Sequence, residues 1–440
     1  MNIQNLWSAF FIDLNMRFLI FLVCSITILN AQTIQDCKKR FDTYLNFKGS
    51  LNGLVRFDKE SISIYNAKGQ KEFTAYQKEI PMLAEVFENY DPKAAAKFYK
   101  NKADKKLSKQ QRDSIRIYLD IPKKTKERTE ALPLNGIKVA IDAGHLASSF
   151  TEAMNEQKFL YFLRDSLKST LDTVKIFEAD LTYKTSLILK AMLEEKGATV
   201  FLTRPTQSLS TFGCSYSYWF ANYKQKVLDS LLQINKLEAA DYRKLNNLPE
   251  YNFFWDFFRD FELANRAKII NAFKPDITTI IHYNVDEKNV PWKKTSPNDY
   301  TMAFIGGSFT ADRLDNIESK LNFLRLLFGE QLDKSEKISR IAVHEFSENL
   351  KIPIACSDDA DYLKNNCLCS KSHGVFSRQL ILCNKIISPL VYGESLYQDN
   401  VDECKWLMKN NTISYGIKTN ERVVKVAKSY YNSILMYFTK

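Results

Sequence analysis

Four short β-branched runs, each ending in polar residues, constrain this chain more than any other feature. They are Ile137-Lys138-Val139-Ala140-Ile141, running into Asp142-Ala143-Gly144-His145, and Thr199-Val200-Phe201-Leu202, closed by Thr203-Arg204-Pro205. The third is Ile277-Thr278-Thr279-Ile280-Ile281, ending in His282-Tyr283-Asn284, and the fourth is Pro389-Leu390-Val391-Tyr392, ending in Gly393-Glu394. Near-continuous apolar strands suit a sheet covered on both faces, which is the situation of parallel strands. The segments between them have helical spacing. From Glu178, the residues Leu181, Thr185, Ile188 and Met192 share one face, and Gly197 is a natural stop. Glu262 to Phe273 is a second helix. Such alternation predicts an α/β fold, with an open, mostly parallel twisted sheet flanked by helices. Further along, Ala303–Ile305 and Gln379–Leu382 read as strands and residues 314–330, 335–351 and 422–438 as helices. Residues 356–373 read as a cysteine-containing loop.

With 440 residues, the chain has room for one large domain and an accessory region. Residues 32–133 form that region, basic and mainly helical, and Leu132-Pro133-Leu134-Asn135-Gly136 punctuates its end. Residues 134–440 carry the strand–helix alternation, interrupted by insertions at about 146–177 and 205–261. The second insertion is rich in aromatics (YSYWFANY, YNFFWDFF), whose helical spacing suits the core of a small helical subdomain. A lid or sugar-stacking platform is the functional alternative.

Residues 1–31 read as a secretory signal peptide, with Arg17 before an apolar run from Phe18 to Leu29 and a small residue, Ala31, before a polar start. That run is too short for a membrane span of about 20 residues. Leu22-Val23 before Cys24 does not fit a lipoprotein site. The expected location is therefore exported, in the periplasm or cell envelope, where some of the seven later cysteines could pair. Net charge is +11, and residues 93–128 hold 13 Lys/Arg against 4 Asp/Glu. This segment is either a solvated helical face or a contact for an anionic envelope surface. No nucleic-acid-binding motif accompanies it, and nucleic acid is not expected as a partner.

The chain has four histidines: His145, His282, His344 and His373. Two of them directly follow strands, where open α/β sheets place their ligands. Glu178 opens the helix between those strands, a position that also suits a simple cap. Two imidazoles and a carboxylate that converge, with the fourth position left to water, match a catalytic zinc site. Zinc with one carboxylate ligand acidifies its water, and the reaction then needs a base that is not a ligand. Glu394, just beyond a strand, is the candidate.

The order IDAGH, an acidic residue opening a helix, VFLTR, NRAKIINAFKPDITTIIHYN and PLVYGES resembles the zinc-dependent N-acetylmuramoyl-L-alanine amidases of bacterial cell walls. The resemblance spans roughly Leu134 to Lys440 and identifies a divergent member with insertions. It implies zinc bound by His145, Glu178 and His282, and Glu394 as the catalytic acid/base. Arg204 and Asn271 also fall on characteristic positions, for structure or substrate placement. The implied substrate is peptidoglycan or muropeptides, cleaved at the amide between N-acetylmuramic acid and L-alanine. Leu146-Ala147-Ser148 replace the glycines that usually follow the first histidine. About 32 residues separate His145 from Glu178, so Glu152 and Glu156 in the insertion are competing carboxylates.

His344 lies in a helical segment and reads as a surface or packing residue. His373 and Arg378 lie near the last strands and are candidates for the substrate groove, Arg378 as partner of a substrate carboxylate. Two other readings use the same fold: a catalytically silent peptidoglycan-binding protein, and a zinc peptidase or amidase acting on a different wall peptide.

Overall fold

The computed structural model describes residues 33–89, 92–119, 132–163, 173–289 and 294–439. Residues 1–31, read as a signal peptide, and residues 120–128 of the basic segment lie outside the described residues.

The accessory region contains helices Ile34–Arg40, Ile80–Asn89, Pro92–Lys102 and Lys109–Leu119. It also contains an antiparallel sheet absent from the sequence reading: β1 (Val55–Phe57), β2 (Ser61–Tyr65) and β3 (Lys71–Tyr76), in the order β1-β2-β3. The region is fused to the rest of the fold. Phe41 meets Phe323 edge-on with centroids 6.4 Å apart, Phe87 stacks on Phe328 at 6.1 Å, and Ser377 Oγ donates to Tyr44 O at 2.6 Å. One hydrophobic core runs through both parts. Not all of the basic segment faces solvent: Lys102 is 3% exposed and pairs with Glu79 at 2.9 Å.

The main sheet has seven strands in the order β10-β11-β9-β12-β8-β4-β7. Four are those read from sequence: β4 (Lys138–Ala143), β7 (Thr199–Leu202), β8 (Ile277–Asn284) and β12 (Leu390–Tyr397). They form a continuous parallel block, β12-β8-β4-β7. Beyond it, β9 (Met302–Ile305) runs antiparallel to β12, β11 (Val375–Arg378) parallel to β9, and β10 (Cys367–Cys369) antiparallel to β11. The sheet is thus mixed and mostly parallel, and flanked by helices, as the strand patterning predicts. The helix Glu178–Glu194 covers one face, burying Leu181, Ile188, Leu189 and Leu193. The helices Gln331–Leu350 and Glu421–Thr439 pack beside it, with Phe346 edge-on to Tyr430 at 4.7 Å.

Two local expectations differ from the fold. Gln379–Leu382 is not a strand: β11 ends at Arg378, and Ile381–Lys385 is a helical turn. The strand lies just upstream, in Val375-Phe376-Ser377, three buried residues whose run is too short to show a period. The loop 356–373 holds a short helix, Asp361–Asn366, and β10. The seven cysteines of the described residues are all free thiols, and Cys37, Cys383 and Cys404 are fully buried within the core.

Both insertions contain regular structure among the described residues. The first contains the helix Phe150–Glu156 and a hairpin of β5 (Phe159–Leu163) and β6 (Thr173–Phe177). In the second, Trp219, Phe253, Phe254 and Phe258 form a separate aromatic core. The insertions touch: Trp255 Nε1 donates to Asn155 O at 3.2 Å, and Gln157 bonds Tyr251.

Candidate active site

β4 and β8 lie side by side in register; β4 ends two residues before His145, and His282 lies within β8, two residues from its end. After β4 the chain turns through Gly144, whose N–H donates to Ile281 O at 3.0 Å. A Cβ on Gly144 would lie 2.4 Å from His282 Cε1, so only glycine lets the two strand ends approach. His145 follows with φ of 64°, in the left-handed region that histidine tolerates better than most residues. The two imidazoles stand nearly perpendicular, with centroids 5.0 Å apart.

Glu178 joins them. Its Oε2 lies 3.0 Å from His145 Nε2 and its Oε1 2.8 Å from His282 Nδ1. Oε1 also accepts the Tyr283 N–H at 3.1 Å, and Oε2 accepts from Gln398 Nε2 at 3.4 Å. The carboxylate is 2% exposed and opens a 17-residue helix, whose N-terminal dipole favours a negative charge. Burial alone would raise its pKa, but the two imidazoles hold it well below the usual carboxylate range. Burial works against His145 charging, yet Glu178 and Glu156 carry its pKa up to about 9; burial leaves that of His282 lowered.

Glu394 lies on β12 beside His282. Its Oε2 is buried and accepts no hydrogen bond among the described residues. Burial first, and the nearby Glu178 charge second, push its pKa up to about 8. That value suits a group that holds a proton near neutrality and can release it. Tyr392, two residues earlier on the same strand face, stacks on the His282 ring at 4.6 Å and 5°.

One nitrogen from each histidine and a Glu178 oxygen lie within 4.8 Å of one another. Neutral imidazoles and one carboxylate are the donor set of a catalytic zinc, and their convergence fits a single divalent ion. Glu152 is not in this cluster; it accepts from Ser148 N and Oγ. Glu156 reaches His145 from the opposite side, 3.2 Å from Nδ1.

The cluster lies in a cavity of about 930 Å³, with Glu394, Trp255, Lys158, Tyr362 and Arg378 among its lining residues. Arg378 is the one groove candidate the structure places there, its guanidinium over the rings of Phe304 (5.0 Å) and Tyr362 (4.9 Å). The other three do not reach the cavity. Arg204 is 1% exposed and donates to Ala143 O, Gly144 O and Gln207 O, bracing the loop under His145 instead of meeting substrate. Asn271 donates to Lys385 O and accepts from Ile387 N, tying a helix to the chain before β12. His373 sits 3.3 Å from Cys356 Sγ. A buried Asp142–Arg266–Glu262 cluster is absent from the sequence reading. Arg266 bonds both carboxylates and also Ala143 O and His145 O. Its only sequence signal is the i,i+4 pair Glu262/Arg266.

Two imidazoles at neighbouring parallel strands and a buried carboxylate at a helix start, beside a buried acid, form a hydrolase-like site that could hold a divalent ion. Residues 139–434 match the N-acetylmuramoyl-L-alanine amidase family, and the chain belongs to that family and is an enzyme of it. Among solved structures it is similar to the CwlD amidase of Clostridioides difficile in complex with the GerS lipoprotein. Identity there is 18%, covering 69% of this chain and 98% of that one, with a TM-score of 0.36. The N-acetylmuramyl-L-alanine amidase Ami1 of Mycobacterium smegmatis is 14% identical over 69% of this chain and 98% of that one, with a TM-score of 0.37. The catalytic domain of CwlV from Bacillus (Paenibacillus) polymyxa var. colistinus is 13% identical over 68% and 97%, with a TM-score of 0.35. No curated protein gives a significant match.

Proposed function

We propose that this chain is an exported zinc amidase that cleaves the bond between N-acetylmuramic acid and L-alanine in peptidoglycan or its fragments. The observation that carries the reading is the pairing of Glu394 with His282 at one cavity. A metal-binding protein needs three ligands, whereas a hydrolase also needs an acid/base beside them.

His145, Glu178 and His282 would hold the zinc, which when bound acidifies a water and polarises a carbonyl. The work of the chain itself is proton transfer and placement. Glu394 takes a proton from the attacking water, and the same carboxyl delivers it to the departing amine of L-alanine. Its raised pKa favours holding that proton between the two steps. Trp255 and Tyr362 offer apolar walls to the sugar and peptide, and Arg378 offers a cation to a peptide carboxylate. Export rests on the leader read at residues 1–31, and the basic segment would favour an anionic envelope surface.

The test is incubation of zinc-loaded protein with purified sacculi, with assay for new L-alanine amino termini. Their appearance, and their loss on chelation, support the reading. Tight binding without release would mean a silent wall-binding protein, and cleavage at another bond would mean a different wall-peptide substrate.

A further inference from the structure

His145 is held differently from His282. The His282 ring is fixed by regular structure: it sits on β8, stacks on Tyr392 and packs against Gly144. His145 lies beyond the end of β4, in a left-handed backbone conformation, and meets the His282 ring edge-on. Something else has to hold its ring. Its Nε2 edge faces Glu178, and its Nδ1 edge faces Glu156 Oε2 at 3.2 Å.

Glu156 is itself tightly placed. It is 4% exposed and ends the helix Phe150–Glu156, which is capped at its start by the Ser149 side chain and closed by a left-handed Gln157. Oε1 accepts the Leu146 N–H at 2.8 Å, one residue past the histidine. The Trp255 bond to Asn155 O braces the same helix end from the second insertion. Oε2 is buried and accepts no hydrogen bond among the described residues, and His145 Nδ1 lies 3.2 Å from it. A buried carboxylate oxygen left in that state is costly unless a donor faces it, and His145 Nδ1 is placed to supply one.

We propose that Glu156, supplied by the first insertion, is the positioning residue of His145: it takes up the Nδ1–H and thereby fixes Nε2 as the nitrogen turned to the metal. The proposal rests on the metal-site reading above. Metal-bound histidines commonly give their second N–H to a carboxylate, which sets both tautomer and ring orientation. It also gives the insertion a role in the site, since the residues that lengthen the chain between His145 and Glu178 deliver this carboxylate.

The competing explanation is structural: Glu156 would only clamp the loop through Leu146 N. Glu156→Gln separates the two. Its amide oxygen can keep the Leu146 bond at nearly unchanged volume, but it then turns an NH₂ towards an N–H. Zinc affinity of the metal-free protein is measured by chelator competition for wild type, Glu156→Gln, Glu156→Ala and Glu178→Ala, with thermal melts as a control for folding. The visible spectrum of the cobalt-loaded protein provides a second readout. The expected result is affinity about 10- to 100-fold weaker in Glu156→Gln, with shifted cobalt bands and a near wild-type melt. Wild-type affinity and spectrum in Glu156→Gln would overturn the proposal, whatever Glu156→Ala does. If wild type and Glu178→Ala bind zinc equally, the metal-site reading itself fails, which is a different outcome.

Discussion

His282 and Glu394 are register partners on the adjacent parallel strands β8 and β12. Partners in a ladder point to the same sheet face, so the backbone itself sets the distance between a metal-facing imidazole and the acid/base. The Ser395 hydroxyl donates to His282 O at 3.1 Å, adding a cross-strand tie at the same place. Binding and proton transfer are therefore separable by substitution.

Glu394→Gln should keep zinc affinity within about twofold of wild type and lower kcat by about 10²- to 10⁴-fold, the usual share of a general acid/base. Zinc content and the release of L-alanine amino termini, measured on the same preparation, check both halves. A parallel loss of metal would place Glu394 among the ligands.

Glu178→Ala should do the opposite. It removes a ligand and the group that both imidazoles face, so zinc affinity should fall by more than about 100-fold, beyond the range seen for an outer carboxylate partner. Chelator competition measures it. Unchanged affinity would overturn the ligand set of His145, Glu178 and His282.

The Glu394 carboxyl also predicts a pH dependence of folding in the metal-free protein. Its pKa is raised in the folded state, to about 8, so its contribution to stability is complete below the unfolded value of 4.5 and is lost as pH rises through 8. Because the group opens partly onto the groove, solvent reduces the effect to about 2 kcal/mol. Urea unfolding at pH 5, 7 and 9 should show Glu394→Gln gaining on wild type as pH rises. A constant difference would mean that Glu394 titrates normally.

The four parallel strands were legible as short, mostly apolar runs, with His145, His282 and Glu394 within or just past three of them and Glu178 opening the helix between two. His145, Glu178, His282 and Glu394 meet at one cavity for that reason. For Arg204 and Asn271 the motif left structure and substrate placement open, because a position in a motif does not say which way a side chain turns; both are spent on backbone groups. Glu156 was visible only as a competing carboxylate. Its actual position depends on how a helix of seven residues folds back on the strand end, and no periodicity reports that. The accessory sheet was missed because β1, β2 and β3 have only three, five and six residues, too few to show a clear period.

Gly144→Ala tests the close approach of the strand ends. The added methyl would meet His282 Cε1 at 2.4 Å and Ile281 O at 2.7 Å, one of them backbone, so the neighbours cannot simply rotate away. Overpacking of this kind costs about 1–3 kcal/mol. Because the displaced ring faces Glu178, zinc affinity should fall together with Tm. Normal zinc binding in a destabilised variant would show that the ring moves without leaving the metal position.

Arg266→Met addresses the buried support beneath His145. Arg266 is 2% exposed and pairs with Asp142, which is fully buried, and with Glu262 at 2.7 Å, while its other N–H groups hold Ala143 O and His145 O. Removing one member of a buried ion pair leaves an uncompensated charge and costs about 3–5 kcal/mol. Here two carboxylates would be left, although Thr203 still donates to Asp142. Denaturant unfolding should therefore show a loss at the upper end of that range. The double variant Asp142→Asn, Arg266→Met should be less damaging than Arg266→Met alone, because it removes one of the stranded charges. If the double variant lost as much as the two single losses combined, the charge pairing would not be what stabilises this cluster, and packing around the guanidinium would be the cause instead.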